Sequence, residues 1–520
     1  MRQFLLLSWF CIAATTVCAA AVSAQGNDLD APTGGRSVLM GNTGVALGHD
    51  GASPFNNPAT IVRIKDQSLT FAVHFYSLQL THFDNWHQPG DLDNENYGNR
   101  NIGGTGLMDS AFESLPSTLC LFVTVAQLAS TLSLGDKITR DAKEEDDRRP
   151  SGRKLAICFA TVESEDVDVA AIAFRGDTAA GPTTQLQSLQ RRWGRTYIGP
   201  TYAISLNDHF AFGASMHLVY THNSFGIRSE SLSTRSDGTA LASSLGTSGR
   251  GKSFALTGLM GMTYRIDNWT VGASLRLPSL HIWGSYDATF SQSNTGDPNT
   301  AVLADGTGSM VTSPPTRFAL GLGLNTEHWV FEVNGAVDIP VQNALSSDLS
   351  VLTSSLADMN SAPMATRERY HLPHYVAINP SVGFEYFANQ GLSLMAGAST
   401  NFTTLGKLTP QPSVGNMIQG RMSHVTASFG AGTYWNQGEL LFGAQLDFGW
   451  GEQLAINPYS VPNHWAVVNS QSYAVLFVIA GSTNFRAIVR IVHTIVNGGA
   501  DHDHPEDAAE KPSSNKNKSH

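Results

Sequence analysis

One stretch of the sequence matches a motif that binds nucleotides. Residues 246–253 read Gly-Thr-Ser-Gly-Arg-Gly-Lys-Ser, which satisfies the Walker A pattern. That motif needs a buried strand before it and a helix after it, because the N-terminus of the helix binds the phosphate. Here a Ser/Gly-rich loop is predicted before residue 246, and residues 254–264 are predicted to form a strand. We therefore interpret the match as coincidental.

The other residues that could carry chemistry form no recognisable catalytic or metal-binding pattern. The sequence has no Gly-x-Ser-x-Gly elbow, no zinc-ligand cluster and no paired-cysteine metal site. Its 17 histidines and many serines make chance Ser–His pairs easy, so a barrel enzyme of the phospholipase kind stays a minor alternative. The run Asp501–His504 favours a solvated tail over a weak metal site. We predict no enzyme, no catalytic residue, no metal site and no cofactor.

Two cysteines, Cys120 and Cys158, remain once a leader of 24 residues is removed. Both fall in predicted strands, and an oxidising compartment would allow them to form a disulfide. The alternative is two separate buried thiols, because the sequence does not show whether their Cα atoms come within disulfide reach. Both interpretations stay open.

The elements that must position these residues are short alternating strands. In the stretch 317–325, every even position holds a large apolar residue and every odd position a small or polar one. The same period of two recurs in the stretches 210–218, 269–276, 329–334 and 440–448. A pleated strand sorts residues onto two faces in this way, whereas a helix does not. The polar face is mostly Gly, Ser and Thr, which is typical of a barrel lumen.

Very short links join many of these strands in pairs, at residues 207–208, 267–268, 325–327, 389–391 and 436–438. Their Asn, Asp and Gly residues suit the tight turns of hairpins. Long polar segments separate the pairs, and we predict loops at about residues 223–251, 291–315, 340–372, 403–422 and 450–471. This alternation is the pattern of an up-and-down outer-membrane barrel. The sequence thus predicts an all-β fold, an antiparallel transmembrane β-barrel of about 14 strands, with about 16 as the alternative.

Composition and charge agree with a barrel. Only 14% of the residues are charged, against about 25% in soluble proteins, and no stretch after the leader has the ~20 continuous apolar residues of a transmembrane helix. A large soluble β-protein fits the composition nearly as well, but it has no reason to keep its long loops at one end. The formal net charge of −11 argues against a nucleic-acid partner, because it provides no basic field for phosphates.

The two ends of the chain differ from its middle. Residues 1–24 have a basic start, a short apolar run and small residues before a cut between Ala24 and Gln25, which predicts a secretory signal peptide; an uncleaved anchor is the alternative. Residues 25–65 are rich in Gly, Ala, Asn and Pro without alternation, so we predict a compact plug in the lumen. Residues 66–497 are predicted to form the barrel, and residues 498–520 a disordered polar tail.

The segment before the barrel also carries a family resemblance. Residues 35–46 read Gly-Arg-Ser-Val-Leu-Met-Gly-Asn-Thr-Gly-Val-Ala, and residues 50–59 read Asp-Gly-Ala-Ser-Pro-Phe-Asn-Asn-Pro-Ala. This resembles the hatch of the long-chain fatty acid transporter family of outer-membrane proteins, the FadL/TodX type, with its Asn-Pro-Ala signature at Asn57, Pro58 and Ala59. The hairpin rhythm is similar too, so the resemblance covers about residues 33–485. An ordinary turn at Asn57 is the alternative.

The resemblance implies a barrel in the bacterial cell outer membrane, with an N-terminal hatch inside its lumen. It implies passive, gated uptake of hydrophobic compounds such as long-chain fatty acids or aromatic hydrocarbons, and it places Asn57, Pro58 and Ala59 in the hatch. The expected partners are outer-membrane lipid, lipopolysaccharide and a hydrophobic small-molecule cargo, and the barrel is expected to be a monomer. The alternative function is a structural or secretion-associated barrel with a plugged lumen and protein-binding loops.

Two further expectations concern single segments. The leucines of Val341–Met359 have roughly helical spacing, which predicts a loop helix at the entrance or against the barrel rim. Several charged residues fall on the lumen face and are expected to neutralise one another there: Arg276, Arg317, Glu332, Glu385 and Asp447.

Overall fold

A computed structural model describes residues 33–48, 50–64, 68–83, 107–109, 116–124, 152–178, 181–295, 301–341, 345–355, 362–408, 420–435, 438–456 and 465–484. The predicted signal peptide at residues 1–24, its cleavage between Ala24 and Gln25, and the predicted tail at residues 498–520 lie outside this part of the chain.

Three short helical turns precede the strands. They are α1 (Arg36–Leu39), α2 (Ser53–Asn56) and a 3-10 helix (Pro58–Arg63). Among the residues that the structure describes, no helix is long and apolar enough to cross a membrane.

The rest of the described chain is almost entirely β-strand. The strand segments are β1 (Ser68–Phe83), β2 (Leu107–Asp109), β3 (Pro116–Thr124), β4 (Arg153–Thr178), β5 (Gly181–Ser205), β6 (Phe210–Thr234), β7 (Ala240–Ile266), β8 (Trp269–Arg276), β9 (Leu280–Asn294), β10 (Val302–Thr312), β11 (Thr316–Asn325), β12 (Trp329–Ile339), β13 (Leu345–Ser355), β14 (Met364–His371), β15 (Ala377–Asn389), β16 (Leu392–Asn401), β17 (Arg421–Trp435), β18 (Gly438–Ile456) and β19 (Trp465–Asn484).

These segments close into one antiparallel barrel, since β1 pairs with both β3 and β19. Five barrel strands each consist of two segments in line: β2 with β3, β8 with β9, β10 with β11, β12 with β13, and β14 with β15. The remaining segments form one strand each, which gives 14 barrel strands. The predicted antiparallel barrel is confirmed, and its strand number is 14 rather than 16.

Four neighbouring barrel strands are interrupted at one height, which we call the proline seam. Each interruption contains proline: Pro278, Pro314 with Pro315, Pro340, and Pro373. Proline has no N–H to donate to a ladder, so a proline at each of these positions favours a break in the regular pairing. The seam separates the lower wall of β8, β11, β12 and β15 from an upper sheet of β9, β10, β13 and β14.

The outer face of the lower barrel is apolar and is bounded by two rows of aromatic side chains. On β11, Phe318, Leu320 and Leu322 are 41%, 50% and 45% exposed, as the alternation predicted. The row beside the short turns contains Tyr264, Trp269, Trp329, Tyr386 and Trp435, and the upper row contains Tyr220, Phe254, Trp283, Phe448 and Tyr473. Such a band between aromatic girdles is the surface of a barrel that spans the bacterial outer membrane, with its short turns in the periplasm.

The predicted long loops are in large part strand. β6 and β7 stay paired from Phe210 and Tyr264 up to Thr234 and Ala240, so the polar segment 223–251 extends the barrel above the upper aromatic row. Parts of the segments 291–315, 340–372 and 450–471 are strand as well. The prediction was wrong because it required an apolar outer face, which a barrel strand needs only inside the membrane.

The predicted helix over Val341–Met359 is also wrong where the structure describes it, because Leu345–Ser355 is strand β13. Leu345, Leu349 and Val351 are buried on the lumen side, whereas Leu352 is 53% exposed on the outer face. The apolar residues therefore follow a period of two, and the roughly helical leucine spacing is incidental.

Candidate functional site

Residues 33–64, called here the N-terminal segment, lie inside the lower barrel. Their apolar side chains pack on the wall in two groups. Val38, Leu39, Met40, Ala46 and Leu47 join wall residues such as Met395, Leu441 and Val478. Ala59, Ile61, Val62 and Ile64 pack on the adjoining part of the wall, which includes Phe122 and both described cysteines. The segment thus contacts strands from the beginning and from the end of the barrel.

Asn57, Pro58 and Ala59 lie together at the start of the 3-10 helix, and all three are buried. The Asn57 side-chain oxygen accepts a hydrogen bond from the Ala59 N–H at 3.1 Å, which caps the helix. Its Nδ2 donates to the carbonyl oxygens of Val45 at 2.6 Å and Met262 at 3.1 Å. Asn57 therefore ties two parts of the N-terminal segment to each other and to β7.

Glycines on the inner wall give the N-terminal segment its space. Nine of them face it, and a Cβ on each would come within 3.0 Å of a segment atom. One is Gly323, and the other eight form four directly opposed pairs on neighbouring strands: Gly213 with Gly261, Gly272 with Gly321, Gly383 with Gly397, and Gly430 with Gly443. All lie within seven residues of a short turn. We call this set the glycine belt; it lets backbone approach backbone where any side chain would keep them apart.

Asp50 holds the first half of the N-terminal segment in shape. This carboxylate is 4% exposed and accepts hydrogen bonds from the backbone N–H groups of Gly35, Ser37 and Ala52 at 2.9–3.0 Å. The Ser37 hydroxyl donates to it as well, at 2.9 Å. Asp50 was not singled out from the sequence. The signal that could have identified it is a single acidic residue within a glycine-rich stretch, because that stretch was predicted to be a compact plug in the lumen.

Two carboxylates of the wall bind the N-terminal segment directly. Glu332 on β12 accepts backbone hydrogen bonds from Gly44 at 3.0 Å, Ala46 at 2.8 Å and Leu47 at 3.2 Å. Glu385 on β15 forms an ion pair with Arg36 and is fully buried. The expectation that wall charges neutralise one another is therefore wrong for Glu332 and Glu385, which bind the segment instead.

A layer of charged and polar groups lies above the N-terminal segment, four residues further from the short turns than the glycine belt. Arg317 donates to Asp338 at 3.0 Å, and an Arg276 nitrogen lies 4.0 Å from the same carboxylate. Asn379 also donates to Asp338, at 3.0 Å. Two guanidinium groups thus lie at one carboxylate. We call this set of residues the Arg276–Arg317 group.

Asp447, the fifth predicted lumen charge, pairs with a histidine of the next strand. Its Oδ2 lies 2.6 Å from Nδ1 of His424, and its other oxygen accepts from Thr426 at 2.9 Å. The expectation of neutralisation within the wall fits Asp447, Arg276 and Arg317.

Comparison with known proteins identifies the fold. The sequence matches no protein-family model and no curated protein. A FadL homologue from Pseudomonas aeruginosa superposes with a TM-score of 0.53 and 13% identity, over 88% of this chain and 100% of its own. The toluene transporter TodX of P. putida superposes with a TM-score of 0.51 and 16% identity, over 86% of this chain and 99% of its own. The fold is that of the FadL and TodX proteins.

A third structure of this kind, the monoaromatic hydrocarbon channel CymD, gives a TM-score of 0.50 and 12% identity over 87% of this chain and 97% of its own. The FadL/TodX resemblance stated for the sequence is confirmed at the level of the fold. CymD is named as a channel and TodX as a transporter.

Above the charged layer, the FadL/TodX-type barrel described here contains a large group of buried apolar residues, which we call the upper cluster. It includes Leu189, Trp193, Phe225, Ile227, Leu245, Tyr286, Met310, Leu345, Leu349, Val351, Tyr370, Leu405 and Leu454. These residues come from the extended ends of the strands and from the chain after β16. The upper cluster and the N-terminal segment therefore lie on opposite sides of the charged layer.

Cys120 and Cys158 form a disulfide in this barrel. They face each other across β3 and β4, with a Cα–Cα distance of 4.2 Å. Both are buried against Ile61 and Ile64 of the N-terminal segment. Of the two interpretations left open by the sequence, the structure has the disulfide.

The Walker A match lies within strand β7. Residues 246–253 pair along their whole length with β6 and β9, and the strand continues to Ile266. No helix follows the motif, so the anion site that a helix N-terminus provides is absent from residues 246–266. Within the described part of the chain, no group of three or more His, Cys, Asp or Glu residues could hold a metal ion.

Proposed function

We propose that this barrel passes hydrophobic compounds across the outer membrane by passive, gated diffusion, with long-chain fatty acids or aromatic hydrocarbons as cargo. The supporting observation is a lumen with the N-terminal segment at one end and the upper cluster at the other. Such a lumen disfavours an open aqueous pore. A solute gains about 0.8 kcal/mol for each CH₂ group that leaves water, so the apolar upper cluster can attract a hydrocarbon when its side chains move apart.

The N-terminal segment is the hatch in this proposal, with Asn57, Pro58 and Ala59 at its centre. Residues 36–47 are held by Glu332 and Glu385 and are unsuited to large movement. Helix α2 is held less firmly: Ser215 donates to its Pro54 carbonyl at 3.0 Å, and Phe55 stacks on His217 with ring centroids 4.9 Å apart. We therefore propose that α2 moves first, and that the rest of the segment stays on the wall.

The charge of the lumen bears on the choice of cargo. The Arg276–Arg317 group places two guanidinium groups directly above the N-terminal segment. Guanidinium groups form strong, charge-assisted hydrogen bonds with carboxylates. A fatty acid carboxylate could accept such bonds, whereas toluene could not. This supports fatty acids as the preferred cargo.

The upper cluster also favours a second candidate function. Its side chains pack on one another as they would in a structural or secretion-associated barrel, whose lumen has no need to open. The two candidates differ in whether the cluster and α2 must move. A barrel that conducts cargo must separate them, and a structural barrel keeps them packed.

The test is uptake by cells that make the wild-type chain, no chain, or a cross-linkable variant. Phe55→Cys with His217→Cys places two thiols where the stacked rings were, so a short bis-maleimide would fix α2 to the wall. We expect uptake of labelled palmitate to require the chain and to stop on cross-linking, while the single-cysteine variants resist the reagent. If uptake of both palmitate and toluene is the same with and without the chain, the transport proposal fails and the structural candidate stands.

A further inference from the structure

A polar cleft of about 860 Å³ opens in the barrel wall above the upper aromatic row. Two outward-facing rows of side chains cross it on β5, β6, β7, β9 and β10. One row runs from Arg192 through Ser224, Arg250 and Asp287 to Thr307, and the next from Gln190 through Gly226, Ser248 and Thr289 to Asp305. A barrel wall is normally convex on the outside, so a concave place in it can hold part of a bound ligand.

The height of the cleft fixes which part of the membrane it meets. Phe254 belongs to the upper aromatic row, and Lys252 and Arg250 follow it outward on the same face of β7. At about 3.3 Å per residue along a strand, Arg250 lies about 13 Å beyond Phe254. The outer leaflet of an outer membrane ends in phosphorylated sugars at this level, so the cleft faces lipid headgroups.

Arg250, which lines the cleft, and Lys252, two residues closer to the aromatic row on the same face of β7, differ from three other outward cations of the upper barrel. Arg228 pairs with Glu230, and Arg367 and Arg369 both pair with Asp348. Arg250 and Lys252 are exposed, and within the described chain neither is joined to a carboxylate by an ion pair, although Asp287 lies directly opposite Arg250. Guanidinium and ammonium groups that are exposed and form no ion pair with a carboxylate are well suited to bind phosphate.

We propose that this cleft binds the phosphorylated sugar headgroup of lipopolysaccharide. Arg250 and Lys252 bind a phosphate on the β7 side. The hydroxyl groups of Ser248 and Thr289, which bond each other at 2.8 Å, and the Asp305 carboxylate on β10 bind sugar hydroxyls on the other side. The Asp305 carboxylate, on the far side of the cleft from Arg250, repels a phosphate and so gives the headgroup one orientation.

The test measures binding of deep-rough lipopolysaccharide to the detergent-solubilised barrel by native mass spectrometry and by the shift in its thermal unfolding midpoint. Arg250→Ala with Lys252→Ala is compared with Arg367→Ala with Arg369→Ala, which also removes two outward cations. We expect the first pair to weaken binding at least tenfold and the second to leave it unchanged. The charge-preserving pair Arg250→Lys with Lys252→Arg should still bind, and resistance to SDS before heating shows that each variant is folded.

Three results would overturn the proposal: wild-type binding by the Arg250→Ala/Lys252→Ala variant, equal losses for both alanine pairs, or equal binding of lipopolysaccharide from which the lipid A phosphates have been removed. The inference rests on the place of the barrel in the outer membrane and not on transport. Palmitate uptake measured on the same variants separates the two: lipopolysaccharide binding can be lost while uptake persists, and uptake can be absent while binding persists.

Discussion

Arg36 in the N-terminal segment and Glu385 on β15 form a buried ion pair, in which Arg36 Nε donates to a Glu385 oxygen at 2.7 Å. The Tyr434 hydroxyl donates to the other oxygen of Glu385 at 2.6 Å. The carboxylate thus has a charged partner from the N-terminal segment and a neutral partner from the wall. Its ion pair joins residues that are 349 positions apart in the sequence.

Glu385→Gln should loosen the N-terminal segment. Removing one partner of a buried ion pair costs about 3–5 kcal/mol, because the other charge stays buried without compensation. We expect protease cleavage within residues 33–64 and a measurable ion conductance in planar bilayers. Asp348→Asn is the control, since its ion pairs with Arg367 and Arg369 are exposed and worth about 0–1 kcal/mol. Equal conductance of the two variants would contradict the role given to Glu385.

Alanine in the glycine belt should displace the N-terminal segment without harming the barrel itself. Gly261→Ala would bring a methyl group into the space of Asn57, whereas Gly335→Ala on β12 meets open space. Overpacking of this kind costs about 1–3 kcal/mol. The expected result is a lower thermal unfolding midpoint and easier proteolysis of the segment for Gly261→Ala only. A Gly335→Ala variant that behaves the same way would show that the effect comes from the strands.

Arg317→Met should separate the two classes of cargo. The substitution removes one of the two guanidinium groups of the Arg276–Arg317 group and keeps an unbranched apolar stem. We expect palmitate uptake to fall about tenfold or more, and toluene uptake to change less than twofold. Arg367→Met, on the outer face, serves as the control. If palmitate and toluene uptake fall together, the group supports the wall and does not select the cargo.

The disulfide should stabilise the barrel against heat. Cys120 and Cys158 are 38 residues apart, and a cross-link over a loop of this length stabilises a fold by about 3–4 kcal/mol in the chain-entropy estimate. We expect reductant to lower the unfolding midpoint of the wild type. The Cys120→Ala/Cys158→Ala variant should have that lower midpoint already and should not respond to reductant. A wild type that is indifferent to reductant would contradict this.

Sequence periodicity was sufficient to predict the membrane-spanning parts of the strands. It was not sufficient to predict the parts that extend above the membrane. The stretch 317–325 alternates because lipid faces one side of β11 and the lumen faces the other. The stretch 223–251 does not alternate in this way, because water lies outside β6 and β7 there, and its regular pairing shows only in the structure. The prolines of the seam were visible in the sequence, but their common height depends on the register of four strands.

The candidate site was predicted in part for a related reason. Asn57, Pro58 and Ala59 stand out as a local pattern, and the glycine-rich stretch before them indicated a compact segment. Glu332 and Glu385 were assigned to the lumen by their parity along the strand. Their partners, which are more than 280 residues away in the chain, follow only from the way in which the barrel closes.

The glycine belt has a consequence for the order in which the protein assembles. The N-terminal segment precedes every strand of the barrel, yet it contacts wall residues from Thr118 on β3 to Ala480 on β19. Backbone packed so closely against backbone leaves little clearance for threading the segment into a finished cylinder. We expect residues 33–64 to be in place before the barrel is complete, so that the hairpins assemble around them. Pairing of β1 with β19 is then the step that encloses the segment.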